Sequence, residues 1–502
     1  MKAEVFISIG IYMIVMLCIG YFAYRRTANL TDYMLGGRNL GPAVAALSAG
    51  ASDMSSWLLM GLPGAMYVSG LSAGWIVVGL CLGAYLNWLF VAPRLRIYSE
   101  VANNSITIPD YFDNRFKDNT KILRIVSAFV IFVFFTFYVS SGMVSGGQLF
   151  KSAFGLPYGW GILVTAGVVI LYTLFGGFLA VSWTDFVQGT LMFLSLILVP
   201  IVTIIHIGGF SNTFHDIHSI NPKLLDAFRG TSVISIISLI AWGLGYFGQP
   251  HIIVRFMAIT SKKEVKSARR IGMGWMIFSI VGAMFTGLVG IAYFSETNAK
   301  LGNPETVFIV LADILFDPII TGFLLAAILA AVMSTISSQL LVTSSALTQD
   351  FYKTFLRKSA TDKELVLVGR LAVLGVAVIA LLMSLHPNQT ILNLVGYAWA
   401  GFGAAFGPVV LLSLYWKRMT KWGALTGMIT GTVTVIAWVQ IRKHHAFIPS
   451  FIWHKIQPII SFYEIIPGFL VCTAAILIVS LLTAKPSTEV EKEFDQTVKK
   501  IA

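Results

Sequence analysis

Long apolar runs separated by short polar segments fill the chain, and they predict thirteen membrane-spanning helices. The runs fall at about 3–24, 42–67, 70–92, 122–150, 160–180, 186–208, 232–259, 271–294, 319–347, 365–385, 390–416, 422–441 and 465–483. A helix rising about 1.5 Å per residue needs roughly 20 residues to cross a hydrocarbon core, and each run is about that long or longer. The first run, preceded by one lysine, reads as a true span and not as a cleaved leader. Only Val181-Ser182-Trp183-Thr184-Asp185 separates the fifth run from the sixth. After the third, Pro109-Asp110-Tyr111-Phe112 predicts a short helix with proline in its first turn. Residues 484–502 are charged and predict a loose tail.

Two runs carry residues that disturb a spanning helix. The second has Gly50-Ala51-Ser52-Asp53-Met54-Ser55-Ser56-Trp57 at its middle. An aspartate near a bilayer centre costs at least about 2.5–3.5 kcal/mol on insertion scales. No structural need explains that cost, so the stretch is read as a cation site; a protonated or hydrogen-bonded packing aspartate is the alternative. The seventh run has Ala241-Trp242-Gly243-Leu244-Gly245-Tyr246-Phe247-Gly248-Gln249-Pro250, whose glycines and proline exclude an undisturbed helix. Interrupted spans five apart and opposite in direction mark an inverted-repeat transporter. Two glycine-rich packing helices are the alternative. On the repeat reading, 40–209 holds the first repeat and 210–416 an outer loop with the second. Residues 1–39, the peripheral helices in 417–483 and the tail flank them.

Composition and charge sharpen this picture. The chain is 57% hydrophobic and 12% charged, which no soluble domain of 502 residues matches. Its net charge of +12 suggests nucleic acid until the cations are placed. With the N-terminus outside, 27 of the 35 lysines and arginines fall in inner segments, from Arg25-Arg26 to the tail. The positive charge is thus a topology device, the C-terminus is cytoplasmic, and nucleic acid is excluded as a partner. The loop at 442–463, with His444-His445, is the exception, and its aromatics suggest that it lies on the membrane interface. Cys18, Cys81 and Cys472 sit in apolar runs without metal-ligand spacing and read as buried thiols.

A sodium ion inside a membrane needs about five or six oxygens in place of water, from unwound carbonyls and hydroxyls. The ninth run supplies Met333-Ser334-Thr335-Ile336-Ser337-Ser338-Gln339, with Ser334 and Ser338 one turn apart on one face. Such hydroxyls also bond back to their own helix. Trp242 and Tyr246 lie one turn apart before the seventh-span break, and Tyr138 lies on the fourth span. They are candidates for a solute pocket, with packing as the alternative. Arg38 and Asp185 fall at the inner surface, as functional residues or as ordinary topology and capping charges.

The motifs Tyr33-Met34-Leu35-Gly36-Gly37-Arg38, 47–54, 176–185, 242–251, 326–339 and Gly396-Tyr397-Ala398-Trp399-Ala400-Gly401-Phe402-Gly403 resemble the sodium/solute symporters, over nearly the whole chain to about Thr483. The Gly-Tyr-Phe-Gly-Gln-Pro-His run is that of their proline branch. The resemblance implies an all-α membrane protein with thirteen transmembrane helices and a LeuT-like 5+5 inverted repeat with broken helices. It implies a sodium site from the carbonyls of Ala51, Met54 and Ala331 and the hydroxyls of Ser334 and Thr335, with Asp53 beside it governing coupling. Ser55, Trp57, Tyr138, Trp242, Tyr246 and Pro250 would form or border the solute pocket, and Arg38 and Asp185 would serve the cytoplasmic end of the sodium path. Ser56 departs from the glycine of many proline symporters.

The expected activity is sodium-coupled import of L-proline across the cell membrane by alternating access. No cofactor is expected; sodium is the coupling ion and lithium a substitute. The alternatives are symport of another small carboxylate such as pantothenate, a channel, or a transporter-fold sensor. A channel needs a continuous polar pore, whereas the polar residues here cluster at midplane. A sensor needs a signalling domain, for which the tail is too short. No acid/base pair or metal cluster supports an enzyme.

Overall fold

The computed structural model describes residues 3–25, 30–297, 299–386, 389–444, 446 and 449–501. Arg26 and His445 lie outside the described residues. Among those residues the structure is helical throughout, with a single isolated β-bridge between Leu40 and Ile259. Among the described residues ten helices are long and apolar enough to cross a membrane, and eleven if a pair bent by 45° counts as one span. The expected thirteen differ at two places. The second run is divided by its break, and its latter part and the third run count together as Trp57–Val101, within which the chain turns at Gly70, with φ 60° and ψ −148°. The fifth contributes only the shorter apolar helix Tyr158–Leu171. Outer helix faces carry large apolar side chains such as Ile205, Val233 and Leu482, as lipid contact requires.

The elements that build the site are α1 (Pro42–Asp53), α2 (Trp75–Leu86), α3 (Ala92–Val101), α4 (Ile108–Phe116), α5 (Ile122–Phe154), α6 (Tyr158–His206), α7 (Pro250–Ala258), α8 (Lys262–Glu296), α9 (Pro318–Ser345), α10 (Ile391–Tyr415) and α11 (Thr488–Ile501). Helix α1 opens on Pro42, whose missing N–H costs nothing in a first turn, and ends at Met54, with φ −80° and ψ 69°. The Ser55 N–H turns back to the Asp53 carbonyl at 2.9 Å. Continued α-helix would have given that N–H to Ala51, so the break releases the Ala51 carbonyl from the ladder. The second break is a 3₁₀ segment, Ala241–Gly248, followed by extended Gln249 and by Pro250 at the start of α7. Gly83 of α2 lies on this segment so closely that a Cβ there would stand 2.1 Å from the Gly243 carbonyl oxygen. Only backbone fits between α2 and the 3₁₀ segment at this point.

Three expectations are corrected. Val181–Asp185 is not a connection: helix runs through it, and the chain breaks earlier, at Gly177, with φ 60° and ψ −176°. Glycine alone adopts that geometry without strain, whereas Ser182 and Thr184 are accommodated inside the helix. The tail is not loose. Helix α11 presents Val490, Phe494 and Thr497 on one face, and all three are buried. It packs on α3, Lys117 pairs with Glu489 and Glu493, and Lys417 pairs with Asp495. Glutamates in its first turn and lysines in its last complement the helix dipole. Of the three thiols only Cys472 is buried; Cys18 is exposed on the first helix and Cys81 is intermediate. The short helix expected at Pro109 is α4, capped by Thr107, which accepts from the Asp110 N–H.

Candidate ion and solute site

The Ala51 carbonyl released by the break is taken up by α9. Ser334 Oγ donates to it at 2.8 Å and Thr335 Oγ1 at 3.5 Å, and Ser334 Oγ also lies 3.2 Å from the Ala331 carbonyl oxygen. Four of the five expected sodium-site oxygens therefore converge, all on buried residues. The fifth expected donor, Met54, is the buried residue at which α1 stops. Hydroxyls and carbonyls of this kind are hard, neutral oxygen donors, the type that replaces the hydration of a small monovalent cation. The fit is chemical: an ion would take the lone pairs of the hydroxyls and leave their protons free to turn outward.

Asp53 points elsewhere. Its carboxylate makes no hydrogen bond to Ser334 or Thr335; Oδ2 accepts from the Tyr246 hydroxyl at 2.6 Å, which ties the first broken span to the second. Its carbonyl collects the Trp57 indole N–H at 3.3 Å and the Tyr138 hydroxyl at 3.4 Å. Ser55 Oγ accepts from the Trp57 N–H at 3.4 Å. Tyr246 meets Trp399 of α10 edge-on at 5.1 Å between centroids. Trp399 donates to the Trp242 carbonyl at 2.7 Å, satisfying a polar group that unwinding exposes. Trp242 stacks on Tyr463 at 5.3 Å. Pro250 acts through the backbone, as the first residue of α7. Ser56 Oγ pairs with Ser145 Oγ of α5 at 2.5 Å, so its extra hydroxyl serves helix packing.

Asp185 is fully buried, not at the inner surface. Its Oδ2 accepts from Ser48 at 2.7 Å and from Arg255 at 3.1 Å. Arg255 also donates to Ser48 at 2.9 Å, to Ser338 at 2.6 Å and to the His251 carbonyl. Ser48 precedes Ala51 by three residues and Ser338 follows Ser334 by four, so this network lies one turn from the cation cluster on both helices. Arg38 is separate. In a left-handed conformation, φ 57°, it donates to Asn104 at 2.9 Å, Ser99 at 3.0 Å, and the carbonyls of Met257 and Ser105 at 2.7 and 2.6 Å. It staples the polar segment after α3 to the end of α7.

Sequence reasoning missed Arg255 and Asn87. By sequence Arg255, at the end of the seventh run, is one of the 27 inner-segment cations, yet its side chain is 1% exposed. The available signal was its place inside the apolar half-helix that follows a break. Asn87 is buried in a π-turn after α2 and donates to the Tyr246 carbonyl at 3.0 Å. It is the one amide in an otherwise apolar run.

A family model described as the sodium:solute symporter family matches residues 33–431, and the chain belongs to that family. Among its relatives, the high-affinity proline transporter PutP of Bacillus subtilis is 65% identical over 96% of this chain and 98% of that protein. The osmoregulated proline transporter OpuE of the same organism is 59% identical over 97% of this chain and 96% of its own length. Sodium/proline symporter 2 of Staphylococcus saprophyticus is 54% identical over 98% and 96%. The fold is shared with a Na+-coupled sialic acid symporter in a substrate-bound outward-open state, at TM-score 0.80 and 20% identity over 97% of this chain and 99% of that one. It is shared more distantly with Mhp1, a nucleobase-cation-symport-1 family transporter, at TM-score 0.55 and 13% identity over 94% and 100%.

Proposed function

We propose that the protein is a sodium-coupled importer of L-proline, not an enzyme, set in the lipid bilayer of the cell membrane with its N-terminus outside and its C-terminus inside. The observation that carries this reading is the Ala51 carbonyl. The break frees it, two hydroxyls of α9 gather on it, and it lies two residues from the carboxylate that holds the other broken span. Three relatives more than half identical over nearly the full chain are named as proline transporters, which favours proline over other carboxylates.

Sodium enters first from outside and binds the oxygens of Ala51, Met54, Ala331, Ser334 and Thr335, bracing α1 against α9. That bracing fixes the broken segment and with it Asp53, Ser55 and Trp57. Proline then binds between the breaks, near Tyr138, Trp242, Tyr246 and Pro250, and the two repeats close around it. The coupling is one shared free energy, so each ligand tightens the other by the same factor. Sodium leaves past Asp185 and Arg255, while Arg38 holds the inner segments together. Each inward charge gains roughly 2.3 kcal/mol per 100 mV. The test is uptake of radiolabelled proline into proteoliposomes under an imposed gradient. Sodium or lithium is expected to drive saturable accumulation. Uptake driven by protons alone, or not outcompeted by unlabelled proline, contradicts the reading.

A further inference from the structure

Among the buried oxygens beside the breaks that have no hydrogen-bond partner among the described residues, two share one cavity: Oδ1 of Asp53 and Oδ1 of Asn87. The remaining polar atoms of both side chains are held by one residue. The Tyr246 hydroxyl donates to Asp53 Oδ2, and the Tyr246 carbonyl accepts from Asn87 Nδ2. Asp53, Asn87 and Tyr246 line a single cavity of about 20 Å³. That is room for one water-sized group. Buried acceptors left unmade are rare and call for an occupant.

With Asp53 ionised, the occupant must bring two donors and one positive charge. A sodium ion needs about five or six oxygens, and the rest of this wall is largely apolar, including Met54, Met273 and Met276. A water molecule donates twice but leaves a buried carboxylate uncompensated. A secondary ammonium carries one charge and two N–H bonds. We propose that this cavity seats the solute's secondary ammonium, with Asp53 Oδ1 and Asn87 Oδ1 each accepting one N–H, and that Asn87 sets specificity for an imino acid. The proposal rests on the proline reading above. The three methionines are unbranched and flexible, so they can give way to the pyrrolidine ring. Coupling then follows from chain distance: the carbonyl that binds the cation and the carboxylate that binds the ammonium are two residues apart on one break, and the Met54 side chain lines the cavity.

The test compares three solutes in proteoliposomes at saturating sodium: proline, N-methylproline with a single N–H, and tetrahydrofuran-2-carboxylate with none. Wild type is expected to prefer proline over N-methylproline by about tenfold or more, as for hydrogen bonds to a charged group, and to reject the ether. Asn87→Ala is expected to raise the KM for proline about tenfold and to bring the preference over N-methylproline close to unity, with sodium half-saturation changed far less. Wild type that transports N-methylproline as well as proline overturns the proposal without any variant. So does Asn87→Ala with an unchanged preference, which assigns the cavity to water. If wild type shows no sodium-driven proline uptake, the proline reading itself fails, a different result from either of these.

Discussion

Arg255→Leu is expected to abolish uptake and to destabilise the protein by about 3–5 kcal/mol, the cost of leaving a buried charge without its partner. Arg255 binds Asp185 of α6, Ser48 of α1 and Ser338 of α9. Its loss therefore strands a carboxylate that is 0% exposed and loosens three helices around the cation cluster. The double variant Arg255→Leu/Asp185→Leu removes both charges, and most of the lost stability should return. Transport should not return with it, because the pair lies one turn from the cation cluster. Thermal unfolding in detergent and uptake in proteoliposomes separate the two effects. A single variant as stable as wild type would show that the pair is not the buried anchor described here.

Asp53→Asn has the second largest expected effect. The amide keeps the shape and can still accept from Tyr246, so the change removes charge and little else. Hydrogen bonds to charged groups are worth about 1.5–3 kcal/mol, so kcat/KM for proline at fixed sodium should fall by at least about tenfold. The sodium needed for half-maximal uptake should rise, since each ligand stabilises the other. Tyr246→Phe deletes one donor to the carboxylate and should cost less. Unchanged sodium dependence in Asp53→Asn would remove the carboxylate from the mechanism.

The breaks and the hydroxyl cluster were legible in the sequence because each violates a local rule. A carboxylate at midspan, glycines with proline in a spanning helix, and four hydroxyls in five residues have no simple packing explanation. What the sequence hid was long-range. Asp185 and Arg255 are 70 residues apart, and nothing local says that each neutralises the other. Arg255 read as an inner-loop cation because positive charge near a span end usually is one. Asn87 was passed over as a single amide in an apolar run. Its role depends on the close approach of Gly83 to Gly243, which brings α2 onto the 3₁₀ segment. The tail misled for another reason: its charged composition matches disorder, but its apolar residues recur at helical spacing and find a basic surface to dock on.

The central claim is that cation binding at the Ala51 carbonyl shapes the solute seat through the broken segment. Equilibrium binding tests it most directly: proline affinity of the purified protein at a series of sodium concentrations, and sodium affinity at a series of proline concentrations. The two tightening factors are predicted to be equal, in the range of about 5–150-fold, and to shrink together in Ser334→Ala. Proline affinity that is indifferent to sodium would contradict the account.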